Sequence, residues 1–167
     1  MQISQKMNKA INEQIGREFG ASLQYVAIAA YFDGQSLPQL ARYFYKQADE
    51  ERGHAMRFIR YLLDAGAGVN IPAVSGPKAE FGSAEECVKL SLRWEQEVTK
   101  QIYGLMELAI KESDYTTQQF LQWFISEQLE EVSSMEKLLA VVRRAGEGGL
   151  LLVEDYLARE GHPEDKD

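Results

Sequence analysis

Proline interrupts helices, and the 167 residues of this chain hold only four prolines, at Pro38, Pro72, Pro77 and Pro163. Between them run long stretches with the apolar period of amphipathic helices. The pattern predicts helices over about 3–33, 36–65, 83–112, 114–145 and 147–160. Ser36, with Pro38 in the first turn, reads as the N-cap of the second helix, and Ser83 ahead of Glu85 and Glu86 as that of the third. Gly146-Glu147-Gly148-Gly149 breaks the fourth helix from the fifth. Residues 161–167 read as a frayed polar tail, which leaves 1–160 as one domain, long enough for a sizeable core.

The connections restrict the topology further. Two- or three-residue joints make helices 1 and 2 antiparallel neighbours, and helices 3 and 4 likewise. The link over 66–82 differs, with Gly66, Gly68, Gly76, Gly82 and two prolines. A helix of about 30 residues is roughly 45 Å long. An extended link of this length reaches at most about 56 Å, so it can run the length of a bundle. The expected fold is all-α: a four-helix bundle of two hairpins joined by one long crossover, with a short fifth helix.

Charge and cysteine content narrow the function classes. No apolar run is long enough to span a bilayer, so no membrane partner is expected. The start Met1-Gln2-Ile3-Ser4-Gln5-Lys6 lacks the character of a signal peptide. A lone Cys87 excludes an internal disulfide and fits a reducing cytosol, so a cytoplasmic location is expected. The net charge of −8 argues against a nucleic-acid partner and suits attraction of cations.

Each long helix carries an acid where an apolar residue belongs. Helical phase puts Ile11, Ile15, Glu18, Ser22, Tyr25 and Ala29 on one stripe of helix 1. Helix 2 aligns Leu40, Phe44, Glu51, His54, Phe58 and Leu62. Helix 3 aligns Val88, Leu92, Glu95, Thr99, Ile102 and Met106, and helix 4 Phe124, Gln128, Glu131, Met135, Leu138 and Val142. One such acid usually sits at a stripe's edge and bends out to solvent. One on every helix is harder to dismiss, because an unpaired buried carboxylate costs several kcal/mol. No Lys or Arg shares these stripes. Glu18, Glu51 and Glu131 lie near their helix midpoints and Glu95 slightly before its own, so the four converge at one level of the bundle. Four oxygen donors with one imidazole make a hard anionic site suited to iron or manganese. The i, i+3 spacing of Glu51 and His54 lets both reach one metal.

Together, Glu18 with Tyr25, Glu51-x-x-His54, Glu95 and Glu127-Gln128-x-Glu130-Glu131 resemble the ferroxidase residues of ferritins, and most of all those of the bacterial non-haem branch. The resemblance covers essentially the whole chain, crossover and fifth helix included. It implies a ferritin-like bundle that oxidises Fe(II) with dioxygen and stores Fe(III) inside a hollow shell of twenty-four copies. By the same resemblance Glu18 and His54 hold a first iron, Glu51 bridges, and Glu95 with Glu131 holds a second, with Gln128 beside it. Glu50, Glu127 and Glu130, helped by Glu131, match a third iron site; the alternative for Glu127 and Glu130 is solvated surface, since they lie well off the helix 4 stripe. Tyr25 either donates a hydrogen bond to a ligand or to bound oxygen, or is a core tyrosine satisfied by a neighbouring Glu. Helix 5, rich in Leu150, Leu151, Leu152, Val153 and Leu157, either packs at a four-fold axis or folds back on its own bundle.

Departures from relatives are informative too. Haem-containing bacterioferritins carry a second Glu-x-x-His where this chain has Gln128 and Glu131, and a haem-ligating Met where it has Arg52; no haem is expected. The acids that line three-fold channels in eukaryotic ferritins are replaced by Gln118 and Leu121. The competing enzyme reading is another di-iron or di-manganese carboxylate protein related to rubrerythrin, although one cysteine excludes a Cys-x-x-Cys rubredoxin module. From a different class comes a metal-free helical scaffold.

Overall fold

The computed structural model describes residues 2–166. Four long helices, α1 (Gln5–Gly34), α2 (Pro38–Asp64), α3 (Ala84–Lys111) and α4 (Tyr115–Ala145), are followed by α5 (Leu150–Glu160), with short 3-10 turns at Glu147–Gly149 and Pro163–Lys166. Helix α1 pairs with α2, and α3 with α4; the two hairpins meet through α1 and α3. The expected all-α bundle with its single long crossover is the one observed.

Local chemistry accounts for most of the helix ends. Ser4 accepts the Met7 N–H at 2.9 Å, Ser83 the Glu86 N–H at 3.1 Å and Asp114 the Thr117 N–H at 2.9 Å, each satisfying a donor that a helix start leaves free. Gly146 leaves α4 at φ 69°, a conformation glycine adopts without a Cβ clash. Helix α2 departs from expectation. Ser36 stands at φ 59° in the turn that closes α1, whereas an N-cap needs extended backbone, so it caps nothing. Its place is taken from afar: Glu154 of α5 accepts the N–H groups of Gln39 and Leu40 at 2.9 and 2.8 Å.

The stripes on α2 and α4 are buried along their whole length, as phased. On α3 the buried face is shifted by about a residue: Cys87, Ser91, Glu95, Val98, Ile102, Leu105 and Ala109 are inside, while Leu92, Thr99 and Met106 are half-buried. The core falls into two apolar clusters. One gathers Tyr25, Phe32, Phe44, Met135 and their neighbours; the other gathers Met7, Ile11, Phe58, Ile102 and Phe124. Between them lies the layer of buried acids. Leu121 belongs to the second cluster, fully buried, so it lines no surface channel within this subunit.

Both open ends of the fold are fastened. The crossover lies along α1, where Asn12 donates to the Gly68 carbonyl at 3.0 Å and accepts the Asn70 N–H at 2.6 Å. Gln24 likewise exchanges two bonds with Lys78 backbone, at 3.0 and 2.9 Å. Between them Gly16 touches Pro72 so closely that a Cβ would stand 2.4 Å from Pro72 Cγ. Helix α5 folds back on α2 and α4 through buried Val153 and Leu157, leaving Leu151 and Leu152 exposed at 77% and 69%. The segment read as a frayed tail is docked. Gly161 ends α5 at φ 72°, and His162 is buried against the Tyr43 ring at a centroid distance of 4.7 Å. Sequence polarity misled here, because His162 is satisfied by polar partners inside the bundle. Residue 167 lies outside the described residues.

Gly16→Val should force Pro72 off α1 and lower stability by about 1–3 kcal/mol in urea unfolding, as overpacking does elsewhere. An exposed control, Gly53→Ala, has open space for its methyl group and should not lower stability.

Candidate metal centre

Glu18 of α1, Glu51 and His54 of α2, Glu95 of α3 and Gln128 and Glu131 of α4 are all at least 95% buried. Their long helices position them by phase alone, each one or more turns from a capped end. Neutral donors orient several of the acids. Gln14 donates to Glu18 Oε1 at 2.8 Å and Gln47 to Glu131 Oε2 at 2.8 Å. The Tyr25 hydroxyl donates to Glu95 Oε1 in a short hydrogen bond, and Gln128 donates to Glu95 Oε2 at 3.2 Å while also reaching Thr99 Oγ1. Tyr25 therefore does hydrogen-bond an acid of the site. Gln14 and Gln47 escaped sequence reasoning; their signal was an amide on an otherwise apolar helix face, which helical phase alone does not separate from an edge position.

Other donor atoms have no partner. Both oxygens of Glu51, Glu18 Oε2 and His54 Nδ1 are buried without a hydrogen bond. His54 Nδ1 stands 3.4 Å from Glu51 Oε2 and 3.8 Å from Glu18 Oε2. Among the described residues no lysine or arginine pairs with these acids; the ion pairs of Glu18, Glu51 and Glu127 are with His54. Hard oxygens around one imidazole, with lone pairs unsatisfied by the protein, fit the requirements of a divalent iron or manganese ion.

The donors fall into overlapping sets with ligand atoms within 4.8 Å of one another. One set is Glu18, Glu51 and His54; another is Glu51, Glu95 and Glu131. Glu51 belongs to both, so two cations a few ångströms apart would share it. A third set is His54, Glu127 and Glu131, and a fourth is Glu50, Glu127 and Glu164. Glu130 is exposed and joins none of them, although it lines the small neighbouring cleft with Glu50 and Glu127. Glu127 is half-buried, its Oε1 3.7 Å from His54 Nε2.

Like charges out of water raise one another's proton affinity. Burial and then Glu131 push Glu95 up to about 8, against the hydrogen bonds of Tyr25 and Gln128. Burial and Glu131 likewise raise Glu50 to about 10. Burial and Glu95 hold Glu51 well above the usual carboxylate range, and burial lifts Glu131. For His54 burial acts downward, but Glu51, Glu127 and Glu18 outweigh it and raise the imidazole. Burial, with Lys46 and Arg42 nearby, pushes His162 down to about 4, so that ring is neutral. Burial and like charge thus favour bound protons in this cluster, and a cation bound here would compete with them.

The Ferritin-like domain family profile matches residues 8–145. The chain is 46% identical over 155 residues to ferritin BfrB of Mycolicibacterium smegmatis, covering 93% of this chain and 85% of that one. It is 41% identical over 145 residues to the bacterial non-heme ferritin of Staphylococcus aureus, covering 87% of each. Among solved structures, an open-pore ferritin of the archaeon Archaeoglobus fulgidus superposes with a TM-score of 0.90 at 34% identity, over 93% of this chain and 97% of that one. A bundle of this topology with carboxylates at its centre defines a ferritin-like protein. The chain belongs to the ferritin family.

The raised affinities set a sign for stability. A carboxyl such as Glu95 ionises near 4.5 when unfolded but keeps its proton to about 8 when folded. Its contribution is complete below the unfolded value and is lost as pH rises between the two. The metal-free protein should therefore melt lower at about pH 8 than at about pH 5, and Mn(II) should restore more stability at the higher pH. Scanning calorimetry at both pH values, with and without Mn(II), reads this directly; equal melting temperatures without metal would contradict it.

Proposed function

We propose that this ferritin is an iron-storage and detoxification protein with ferroxidase activity, oxidising Fe(II) with dioxygen at a di-iron site and storing Fe(III) as a mineral. The observation that carries this reading is Glu51, buried with both oxygens unpartnered and shared by two donor sets. Fe(II) and dioxygen are the substrates: two Fe(II) each give up one electron, and dioxygen takes the pair. The site's negative charge favours the higher oxidation state, which is the driving role of hard carboxylate ligands.

The protein residues have separable tasks in this scheme. Glu18 and His54 hold one iron, Glu95 and Glu131 the other, and Glu51 keeps the two together. Tyr25 and Gln128 orient Glu95, as Gln47 does Glu131, so these hydrogen bonds set the direction from which the second iron is held. Glu50 and Glu127 take a third iron beside the pair. No haem is needed: Arg52 is exposed where a haem ligand would stand. Storage requires assembly, and the exposed Leu151 and Leu152 suit contact between copies at a four-fold axis of a 24-subunit shell. We place that shell in the cytoplasm, with no nucleic-acid or membrane partner; among the described residues no helix is long and apolar enough to cross a membrane.

Glu51→Ala should slow aerobic Fe(II) oxidation at least about tenfold, since removal even of outer partners of metal ligands costs 10–100-fold. Stopped-flow absorbance of the ferric product gives the rate, and size-exclusion chromatography shows whether the shell is intact. An intact Glu51→Ala shell oxidising at the wild-type rate would favour the metal-free scaffold.

A further inference from the structure

The docked C-terminal turn puts its own side chains at the edge of the metal centre. Asp165 pairs with Lys46 and with Arg42 at 3.7 Å, and accepts the His162 N–H at 2.9 Å. The Asp165 N–H in turn donates to the His162 carbonyl at 2.8 Å, closing the loop. Between these anchors Glu164 is brought beside Glu50 and Glu127, with ligand atoms of all three within 4.8 Å. All three line one cleft of ≈ 540 Å³ whose wall also includes His54, Trp123 and Arg57.

Grouped acids alone are common on surfaces, so the neighbouring histidine matters more. Glu50 has a side chain only 8% exposed, and its Oε1 is buried without a hydrogen bond. His162 Nδ1 stands 3.2 Å from that oxygen. Yet Nδ1 already accepts the Glu164 N–H at 3.3 Å. The other ring nitrogen, Nε2, lies 2.8 Å from Gln47 Oε1, an acceptor because the Gln47 amide nitrogen donates to Glu131. The ring proton is therefore on Nε2, and Nδ1 turns a lone pair toward a carboxylate oxygen. Glu50 Oε1 and Nδ1 can face each other only across a proton or a cation, and with a second and third carboxylate beside them, those of Glu127 and Glu164, the set suits a cation.

We propose that Glu164, held by the His162–Asp165 turn, completes with Glu50 and Glu127 a divalent-cation site at the mouth of the cleft leading to His54. Glu164 thus occupies the role that family resemblance gives to Glu130. This rests on the reading of the inner cluster as the iron-oxidising centre. Glu127 connects the two, being a member of the outer set and of the set with His54 and Glu131. A cation held outside is one carboxylate away from the inner ligands.

Anaerobic isothermal titration of the assembled protein with Mn(II) tests this. Wild type should bind three Mn(II) per subunit, and Glu164→Gln should keep two while weakening the third at least about tenfold. Asp165→Asn, which loosens the turn without touching the site, should weaken the third in the same direction. Glu130→Gln should keep all three. Three unchanged sites in Glu164→Gln, or loss of the third in Glu130→Gln alone, would overturn the assignment of Glu164. Wild type with two sites would also overturn it while leaving the inner centre standing. Wild type with none would instead overturn the reading of the inner centre, and this site with it.

Discussion

The structure depends on how charge is tolerated where water is absent. Glu18, Glu51, Glu95 and Glu131 meet between two apolar clusters, and bringing ionised carboxylates there uncompensated costs several kcal/mol each. A protein that used arginine or lysine as compensation would own a salt-bridge network; this one has none among the described residues at that level. Compensation is left to mobile cations, either protons or metal ions. Its consequence is a bundle held by ordinary apolar packing at both ends and by exchangeable charge in the middle.

The neutral donors around the cluster are unevenly shared. Glu18, Glu95 and Glu131 each receive an amide or hydroxyl hydrogen bond, which orients the carboxylate without cancelling its charge. Glu51 receives none on either oxygen. An acid meant only to pack would be satisfied by its neighbours, because an orphaned buried acceptor forfeits about 1–3 kcal/mol. The acid left without a hydrogen bond, with only the His54 ring near it, is also the one common to two donor sets. These two facts about one residue are why the proposed di-iron reading gives the bridge to Glu51.

How much of this can be read from a sequence follows from which residues act through helical phase. Glu18, Glu51, His54, Glu95 and Glu131 are legible because a 3.6-residue period places each on a buried face without knowledge of its neighbours. The α3 stripe is offset in the structure because two adjacent rows, Glu95 with Val98 and Ile102, fit the phase nearly as well as the row with Thr99 and Met106. Contacts between distant segments leave no such periodic trace. The α2 start is capped by Glu154 more than a hundred residues away, and buried His162 meets the side-chain oxygen of Gln47, similarly distant in sequence. The track of Asn12, Gly16 and Gln24 at multiples of four residues on α1 marks where the crossover lies, but its meaning appears only once the crossover is in place.

The C-terminal contacts converge on a single helix. Glu154 caps α2, Arg42 and Lys46 of α2 hold Asp165, and Gln47 of α2 links His162 to Glu131. The same helix supplies Glu50, Glu51 and His54. Positions 47, 50, 51 and 54 share one face by their spacing, so a shift of α2 along its axis moves the outer and inner acids together. Helix α5 presents Leu151 and Leu152 outward while its Glu154 grips the start of α2. Helix α5 thus ties its outward leucines to the start of the helix that carries Glu50, Glu51 and His54.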